Sequence, residues 1–264
     1  MPAEIHTTIS VSRKSRHVPC SCFCAGFILL TFAFFNAAAH AEDPPPDLVQ
    51  RIMWCEGENQ IARDNYTYRQ TVTIDELDNH GLRVGEYREV RDIIFSPTGE
   101  RTEQLLSKPS STLKRLQLTD QDFQDIRNVQ PFLLTNDTKI LYETKFKGEE
   151  TIDGMPCWVL QVEPRQILEG QRLFQGLVWA DKKDFSIVRS EGQAVPQIVT
   201  TKSENLFPHF TTIRQKVDEK YWFPVETYAD DTLYFRNGPQ RIKLIIRYAN
   251  YKHFAADSVI HFNK

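Results

Sequence analysis

The sequence predicts an α+β fold in which about nine or ten strands form a meandering antiparallel sheet beside two helices. Three observations predict it. Most segments after residue 65 alternate apolar and polar residues with a period of two, which is typical of half-exposed strands. Two segments instead repeat apolar residues at helical spacing. Short polar turns join neighbouring strands, which favours antiparallel pairing over a parallel α/β fold.

The first 41 residues are predicted to be a secretory signal peptide. Basic residues precede a short apolar block, "FCAGFILLTFAFF", and small residues end the segment at Ala41, where we expect cleavage. An uncleaved N-terminal membrane anchor is the alternative. A Pro-rich linker at residues 42–47 follows the leader, and we expect residues 48–264 to form a single domain.

The predicted mature chain is mildly acidic. Removing the leader takes Glu4 and three basic residues from the 35 Asp+Glu and 32 Lys+Arg of the whole chain, which leaves a net charge near −5. Proteins that bind nucleic acid usually display a basic face, so we expect no nucleic-acid partner.

The first helix is predicted over Asp47–Asp64. Leu48, Ile52 and Met53 fall there at helical spacing, and Asp47 is placed to cap the helix. From Asn65 the period changes to two. The segment "NYTYRQTVTI" is therefore predicted to be a half-exposed strand, "DNHG" a turn, and "LRVGEYREVRDIIF" the returning strand.

The second helix is predicted over Thr119–Val129. Thr119 is a good N-cap residue, and Asp122 lies three residues further on. Pro131 ends the helical pattern because proline cannot continue a helix. An apolar segment, Phe132–Leu134, follows it.

The rest of the chain is predicted to be almost all strand. One strand pair turns at "IDG", and its second strand places Trp158, Leu160 and Val162 on one face. The next hairpin places Leu177 and Trp179 on one side of its first strand and turns at polar residues 181–184. Three further strands are "HFTTIRQKVD", "YWFPVETYADDTLYF" and "QRIKLIIRYANYKHF".

Two helices are few for covering so many strands, so the inner face of the sheet has to be hidden by curling or stacking. A curled sheet lidded by the segment 132–134 would enclose an apolar cavity. The alternative is that the same side chains are ordinary core. The candidate ligand-cavity residues are Phe132, Leu133, Leu134, Trp158, Leu160, Val162, Leu177 and Trp179.

Asp230 and Asp231 form the most conspicuous pair of carboxylates. Adjacent residues of a strand point to opposite faces, so the two side chains cannot converge on one proton or metal ion unless a bulge intervenes. We expect Asp230 to be exposed. Asp231 falls on an otherwise apolar face, where it marks a bulge, pairs with an arginine, or lies near the rim of the sheet.

Common catalytic and cofactor signatures are absent from the sequence. The predicted mature chain has four histidines, none at metal-ligand spacing from another or from a cysteine. It has no G-x-S-x-G, H-E-x-x-H, Walker or G-x-G-x-x-G motif. We therefore expect a protein that is not an enzyme and needs neither a cofactor nor a metal.

Two cysteines, Cys55 and Cys157, lie outside the predicted leader. An oxidising compartment permits them to pair as a disulfide. The alternative is that both are buried free thiols.

The segment from Tyr142 to Val195 resembles the outer-membrane lipoprotein-sorting proteins, the LolA/LolB-like group. Its motifs are "GEETIDGMPCWVLQVEP", followed by "FQGLVWAD" and "DFSIVR". The stretch "LFPHFTTIRQKVDEKYWFPVETYADDTLYF" is similar to bacterial members of the group. The resemblance covers most of residues 60–255.

The resemblance implies a half-open (incomplete) antiparallel β-barrel of about 9–11 strands with helices covering its mouth. It implies a periplasmic protein with a cavity for acyl chains, so we expect a carrier that binds a lipid or a lipoprotein acyl chain. We also expect the protein to be a monomer. The alternative is a regulatory or sensor module of the RseB/MucB type, which binds a membrane-associated protein partner. No residue of this sequence matches the functional arginine of the carriers.

Overall fold

The structure, a computed structural model, describes residues 43–95, 100–129, 131–167, 171–201 and 204–253. The predicted leader and its cleavage site lie outside the described residues. The same is true of the first residue of the predicted linker and of the end of the predicted domain.

Two α-helices and thirteen strands make up the described part of the chain. The helices are α1 (Leu48–Arg63) and α2 (Asp120–Asn128), and a single 3-10 turn spans Lys139–Leu141. The strands of the first half are β1 (Tyr66–Leu77), β2 (Arg83–Phe95), β3 (Arg101–Leu105), β4 (Ser110–Ser111), β5 (Tyr142–Ile152) and β6 (Met155–Pro164). Those of the second half are β7 (Leu173–Asp181), β8 (Ile187–Val195), β9 (Ile198–Val199), β10 (Glu204–Asn205), β11 (Phe210–Val217), β12 (Tyr221–Phe235) and β13 (Gly238–His253).

Eleven of these strands form one antiparallel sheet. Its order is β3-β2-β1-β13-β12-β11-β8-β7-β6-β5, with β4 paired to β2, while β9 and β10 form a separate pair. The α+β class and the antiparallel sheet predicted from the sequence are both present. Strands β3 and β5 are the two ends of the order, and each has one neighbour in it.

Both helices lie close to their predicted bounds. Helix α1 follows Asp47, although the side chain of Asp47 makes no capping hydrogen bond and instead pairs with Arg51. Helix α2 follows Thr119 as predicted, and the carboxylate of Asp122 accepts a hydrogen bond from the Thr119 backbone N–H at 2.7 Å. This contact satisfies the first free donor of the helix.

One face of the sheet carries the main core. Helix α1 packs Leu48, Ile52 and Met53 onto this inner face, and the predicted lid residue Phe132 stacks on Phe174 with ring centroids 4.4 Å apart. Trp158, Leu160 and Val162 belong to the same core, as predicted for one face of a strand. This burial of apolar side chains holds the helices to the sheet.

The opposite face carries a second, smaller cluster. It contains Cys157, Val159, Trp179, Val188 and Trp222, with Leu177 packed against it. The indole N–H of Trp179 donates to the Glu150 carboxylate at 2.7 Å, and the Arg189 guanidinium lies over the Trp179 ring. These polar partners allow an indole to be buried on the outer side of the sheet.

The grouping of Leu177 and Trp179 with Trp158 is therefore wrong. The register pairs Trp179 with Val159, and it pairs Trp158 with Ala180. Directly paired residues share a face, so Trp179 lies on the face opposite Trp158. Alternation within a strand predicts which residues share a face there, but the register between two strands decides which faces match.

Gly176 and Gly192 form a directly paired position between β7 and β8. The ring of Phe174 lies across both glycines, only 2.8 Å from where a Cβ atom would be at either position. A Cβ atom at Gly192 would also lie 2.8 Å from the Gly176 Cα. The paired glycines thus leave the space that the core phenylalanine fills.

Gly192→Ala is expected to lower the free energy of unfolding by about 1–3 kcal/mol because backbone atoms would have to move. Urea unfolding followed by tryptophan fluorescence measures the change. Gly57→Ala in α1 is the matched control, since no atom lies within 4 Å of its Cβ position. Alanine is a better helix former, so we expect this control to stabilise by about 0.5–1 kcal/mol. Equal stability of both variants would contradict the close packing at Gly192.

Candidate functional site

A cavity of about 540 Å³ lies between the inner face of the sheet and helix α2. We call it the α2 cavity. Strands β1, β12 and β13 supply an apolar floor, and the walls are residues 115–119 with the first two turns of α2 and residues 204–208. The apolar residues that define it include Ile74, Leu233, Ile242 and Leu244 on the floor and Ile126 and Phe207 on the walls.

The α2 cavity is not the one assembled from the sequence. Trp158, Leu160 and Val162 lie in the packed core, with at most 2% of each exposed, and none of them lines this cavity. Phe132 and Leu133 instead line a second cavity of about 460 Å³, beside the C-terminal ends of α1 and α2. The sequence does not predict these walls, because residues 115–119 and 204–208 have no periodic pattern.

A buried carboxylate fixes the first wall. Glu76 lies near the C-terminal end of β1, and only 1% of it is exposed. Its carboxylate accepts hydrogen bonds from the backbone N–H groups of Lys114 and Arg115 at 2.7 Å, and from that of Leu116. Gly85 stands opposite Glu76, and a Cβ atom there would lie 2.6 Å from the carboxylate. Glu76 therefore holds an irregular segment over the sheet by satisfying its free donors.

A polar network fixes the second wall to helix α2. The Asn205 amide donates to Thr119 Oγ1 at 2.9 Å and to Asp122 Oδ1 at 3.0 Å. The buried Arg172 guanidinium pairs with Asp125 and donates to the Asn205 carbonyl. Burial raises the pKa of the Asp125 carboxyl, and the charge of Arg172 opposes that rise. The network ties both walls of the α2 cavity together.

Two charged side chains of the lining lie where the α2 cavity meets solvent, since Arg115 is exposed and Glu204 is half-buried. The Glu204 carboxylate accepts hydrogen bonds from the Arg236 backbone N–H at 3.1 Å. It also lies 3.7 Å from the Arg236 guanidinium. Arg115 instead donates to backbone carbonyls where β12 connects to β13, at 3.5 Å for Asn237 of the turn and at 3.4 and 3.1 Å for Gly238 and Pro239 at the start of β13.

A buried ion pair fixes helix α1. Glu56 and Arg214 of β11 have side chains that are 0% and 1% exposed, and Arg214 Nη1 lies 2.9 and 2.8 Å from the two carboxylate oxygens. The same guanidinium donates to the Phe132 carbonyl, and the Ile187 N–H donates to Glu56 at 3.2 Å. One pair thus joins α1, the lid segment and two strands.

The adjacent aspartates point apart, as expected for a strand. Asp230 is exposed and pairs with Arg241 at 3.1 Å and with Lys243 at 3.5 Å across to β13. Asp231 accepts the backbone N–H of His209 at 2.9 Å and so fixes the loop before β11. The two carboxylates share no contact partner among the described residues, which favours structural roles for both.

Cys55 and Cys157 are free thiols in the structure, so of the two alternatives that the sequence leaves open, the structure has the unpaired one. Cys55 donates to the Asp184 carbonyl at 3.0 Å, whereas Cys157 belongs to the outer-face cluster. Burial first, and then nearby carboxylates, raises the pKa of each thiol to about 11. Thiols with pKa values this high are mostly protonated near neutral pH and react slowly.

Among the residues that the structure describes, no group of three or more His, Cys, Asp or Glu side chains could hold a metal ion. Within the same residues, no helix has both the length and the apolar character that crossing a membrane requires.

Glu56→Ala is expected to lower the free energy of unfolding by about 3–5 kcal/mol, because it leaves a buried guanidinium without its partner. Urea unfolding of the two variants at equal pH measures the loss. The exposed neighbour Glu58 supplies the control, and Glu58→Ala should change stability by at most about 0.5 kcal/mol. Similar values for both variants would contradict a structural role for the buried pair.

Non-reducing purification followed by denaturation with N-ethylmaleimide tests the cysteine assignment. We expect two adducts per chain without the leader, because both thiols are free. In the folded protein, iodoacetamide should react slowly at pH 8 and faster as the pH rises toward about 11, the pKa of both thiols. If the denatured protein carries no N-ethylmaleimide adduct, and gains two adducts only after it has been treated with a reducing agent, the two cysteines form a disulfide instead.

No protein-family model and no curated protein matches the chain. Solved structures do match. A DUF1329 family protein from Desulfovibrio piger is 14% identical, with 83% of this chain and 96% of that chain covered and a TM-score of 0.39. A LolA superfamily protein from Nitrosomonas europaea is 15% identical, with 81% and 97% covered and a TM-score of 0.37.

A third match is the complex of MucA and MucB from Pseudomonas aeruginosa, at 11% identity, with 80% of this chain and 100% of the matched chain covered and a TM-score of 0.25. The matched structures thus include a protein that is described as a member of the LolA superfamily.

Proposed function

We propose that this protein is a non-enzymatic periplasmic lipid-binding protein that holds an acyl chain, free or attached to a lipoprotein, in the α2 cavity. The observation that carries the proposal is the cavity itself, about 540 Å³ between an apolar sheet floor and two walls of irregular chain. In this proposal the sheet is a half-open barrel, since β3 and β5 end its order.

Burial of an acyl chain is sufficient for tight binding without catalytic groups. Each methylene removed from water contributes about 0.8 kcal/mol, so a sixteen-carbon chain contributes about 13 kcal/mol, which offsets most of the roughly 4–15 kcal/mol that association costs. The floor residues Ile74, Leu233, Ile242 and Leu244 have few polar atoms to desolvate. A volume of this size also falls within the range of ligand pockets in proteins.

Loading and release require one wall of the α2 cavity to move. The wall at residues 114–116 is held mainly by the carboxylate of Glu76, and the N-terminal end of α2 is held by Asn205. Helix α1, in contrast, is pinned by the buried pair of Glu56 and Arg214. We therefore propose that the N-terminal end of α2 opens while α1 stays on the sheet.

A protein-binding regulator is the second candidate, and the outer side of helix α1 favours it. Trp54 and Ile61 are 62% and 64% exposed there and lie two turns apart on the same side of the helix. Exposed tryptophan is enriched at protein interfaces. This surface does not overlap the lining of the α2 cavity, so a carrier and a partner-binding surface are compatible.

Leu233→Trp is expected to weaken binding of a fluorescent fatty acid by about tenfold or more, equivalent to about 1.4 kcal/mol. The larger ring would occupy part of the cavity floor, where Leu233 is 7% exposed. Titration of the purified, delipidated protein measures the dissociation constant. The control is Tyr234→Trp, because Tyr234 is 78% exposed on the other side of the same strand.

Native mass spectrometry of protein purified from the periplasm without detergent provides an independent measurement. We expect a lipid adduct on the wild type and on Tyr234→Trp, with less adduct on Leu233→Trp. Equal binding by the folded Leu233→Trp variant would place the ligand outside the α2 cavity. A wild type that binds no fatty acid at all would remove the lipid-binding proposal.

A further inference from the structure

We infer that the α2 cavity selects a single-chain amphiphile with an anionic headgroup, and that Arg115 binds the headgroup. This inference rests on the proposed function and narrows its ligand class. It combines the volume of the cavity with the placement of one cation at its open end. The shared chemistry is a carboxylate or phosphate on one acyl chain, as in a fatty acid or a lysophospholipid.

The volume of the cavity matches one acyl chain and not two. A methylene group takes about the volume of a water molecule in the liquid, about 30 Å³, so sixteen carbons need about 480 Å³. The α2 cavity has about 540 Å³. A second chain of the same length would double the requirement to about 960 Å³, which exceeds the volume of the cavity with the N-terminal end of α2 in place.

Arg115 has the contacts of a cation that is ready to exchange partners. Its guanidinium has no carboxylate partner within the described part of the chain and instead rests on three backbone carbonyls. Two of these contacts, to Gly238 and Asn237, are 3.4 and 3.5 Å long and therefore weak. Guanidinium groups bind carboxylate and phosphate through two parallel, charge-assisted hydrogen bonds, and these bonds are stronger than hydrogen bonds to neutral backbone carbonyls.

The other charged groups of the lining are already satisfied. The Glu204 carboxylate accepts a hydrogen bond from the Arg236 backbone N–H and lies beside the Arg236 guanidinium. Asp122 accepts hydrogen bonds from Thr119 and Asn205. Arg115 is therefore the lining group to which an anionic ligand adds a partner without displacing an existing ion pair.

The backbone places the guanidinium where a headgroup would emerge. Glu76 holds the Arg115 N–H at 2.7 Å, so the residue is anchored at the wall while its side chain reaches the β12–β13 turn. Gly238 at the start of β13 has φ +111°, and its Cβ position lies 3.7 Å from Arg115 Nη2. An acyl chain that runs inward along Leu233, Ile242 and Leu244 would leave its polar end at this guanidinium.

Competition against a bound fluorescent fatty acid tests the inference with four unlabelled ligands of equal chain length. They are palmitate, palmitoyl lysophosphatidate, the uncharged 1-monopalmitoylglycerol, and the two-chain dipalmitoyl phosphatidate. The variants are Arg115→Gln and the control Arg83→Gln, an exposed arginine that pairs with Asp75 outside the cavity lining. Circular dichroism and the melting temperature establish that both variants are folded.

We expect Arg115→Gln to weaken binding of palmitate or lysophosphatidate by about tenfold, the effect of losing one charge-assisted contact. Monopalmitoylglycerol should bind equally to wild type and variant, and Arg83→Gln should behave as wild type. Arg115→Gln should lower the affinity of one of these two anionic ligands more than that of the other. The ligand with the larger loss carries the headgroup, carboxylate or phosphate, that Arg115 binds. The two-chain lipid should compete at least tenfold more weakly than the single-chain ligands.

Two results would overturn the inference and leave the proposed function standing. One is unchanged palmitate and lysophosphatidate binding by Arg115→Gln, with monopalmitoylglycerol still bound. The other is a two-chain lipid that competes as well as a single-chain one. Failure of every ligand to compete would instead overturn the proposed function, and the inference with it.

Discussion

The ion pair between Glu56 and Arg214 is the constraint on which the covering of the sheet depends. It brings a charge on α1 and a charge on β11 together inside the core, and the same guanidinium holds the Phe132 carbonyl. Two charges out of water are costly unless they are paired and hydrogen-bonded, and here Nη1 and Nη2 of Arg214 have acceptors while the buried Nε has none. The pair therefore specifies one position for α1 and for the chain after α2, where apolar packing alone would tolerate several.

Helix α1 and the segment after α2 then complete the core at one end of the sheet. Phe132 stacks on Phe174, and Phe174 fills the space that Gly176 and Gly192 leave between β7 and β8. Trp158, Leu160 and Val162, which the sequence predicts as part of a cavity lining, consequently belong to the packed core. At the other end, α2 stands away from β1, β12 and β13, and the α2 cavity lies in the gap.

Much of the fold follows from the sequence. Period-two alternation and helical spacing predict the strands, α1 from Leu48, and α2 after the N-cap at Thr119. The register does not follow, since it depends on contacts between strands, and Trp179 was therefore assigned to the wrong face. The site could not be predicted, because its walls are irregular. The single available signal was Glu76, an acidic residue two positions after the apolar Ile74 on the inner face of β1.

The proposed opening at the N-terminal end of α2, with α1 fixed on the sheet, agrees with the arrangement of charges. The pair at α1 is buried and is shared by four elements, so separating it would expose two unsatisfied charges at once. The contacts of Thr119 with Asn205 and Asp122 lie nearer the surface, where water can replace each hydrogen bond as it breaks. Arg172 and Asp125 form a buried pair further along α2. The N-terminal end of α2 can thus leave the sheet about this fixed point, and that end covers the cavity.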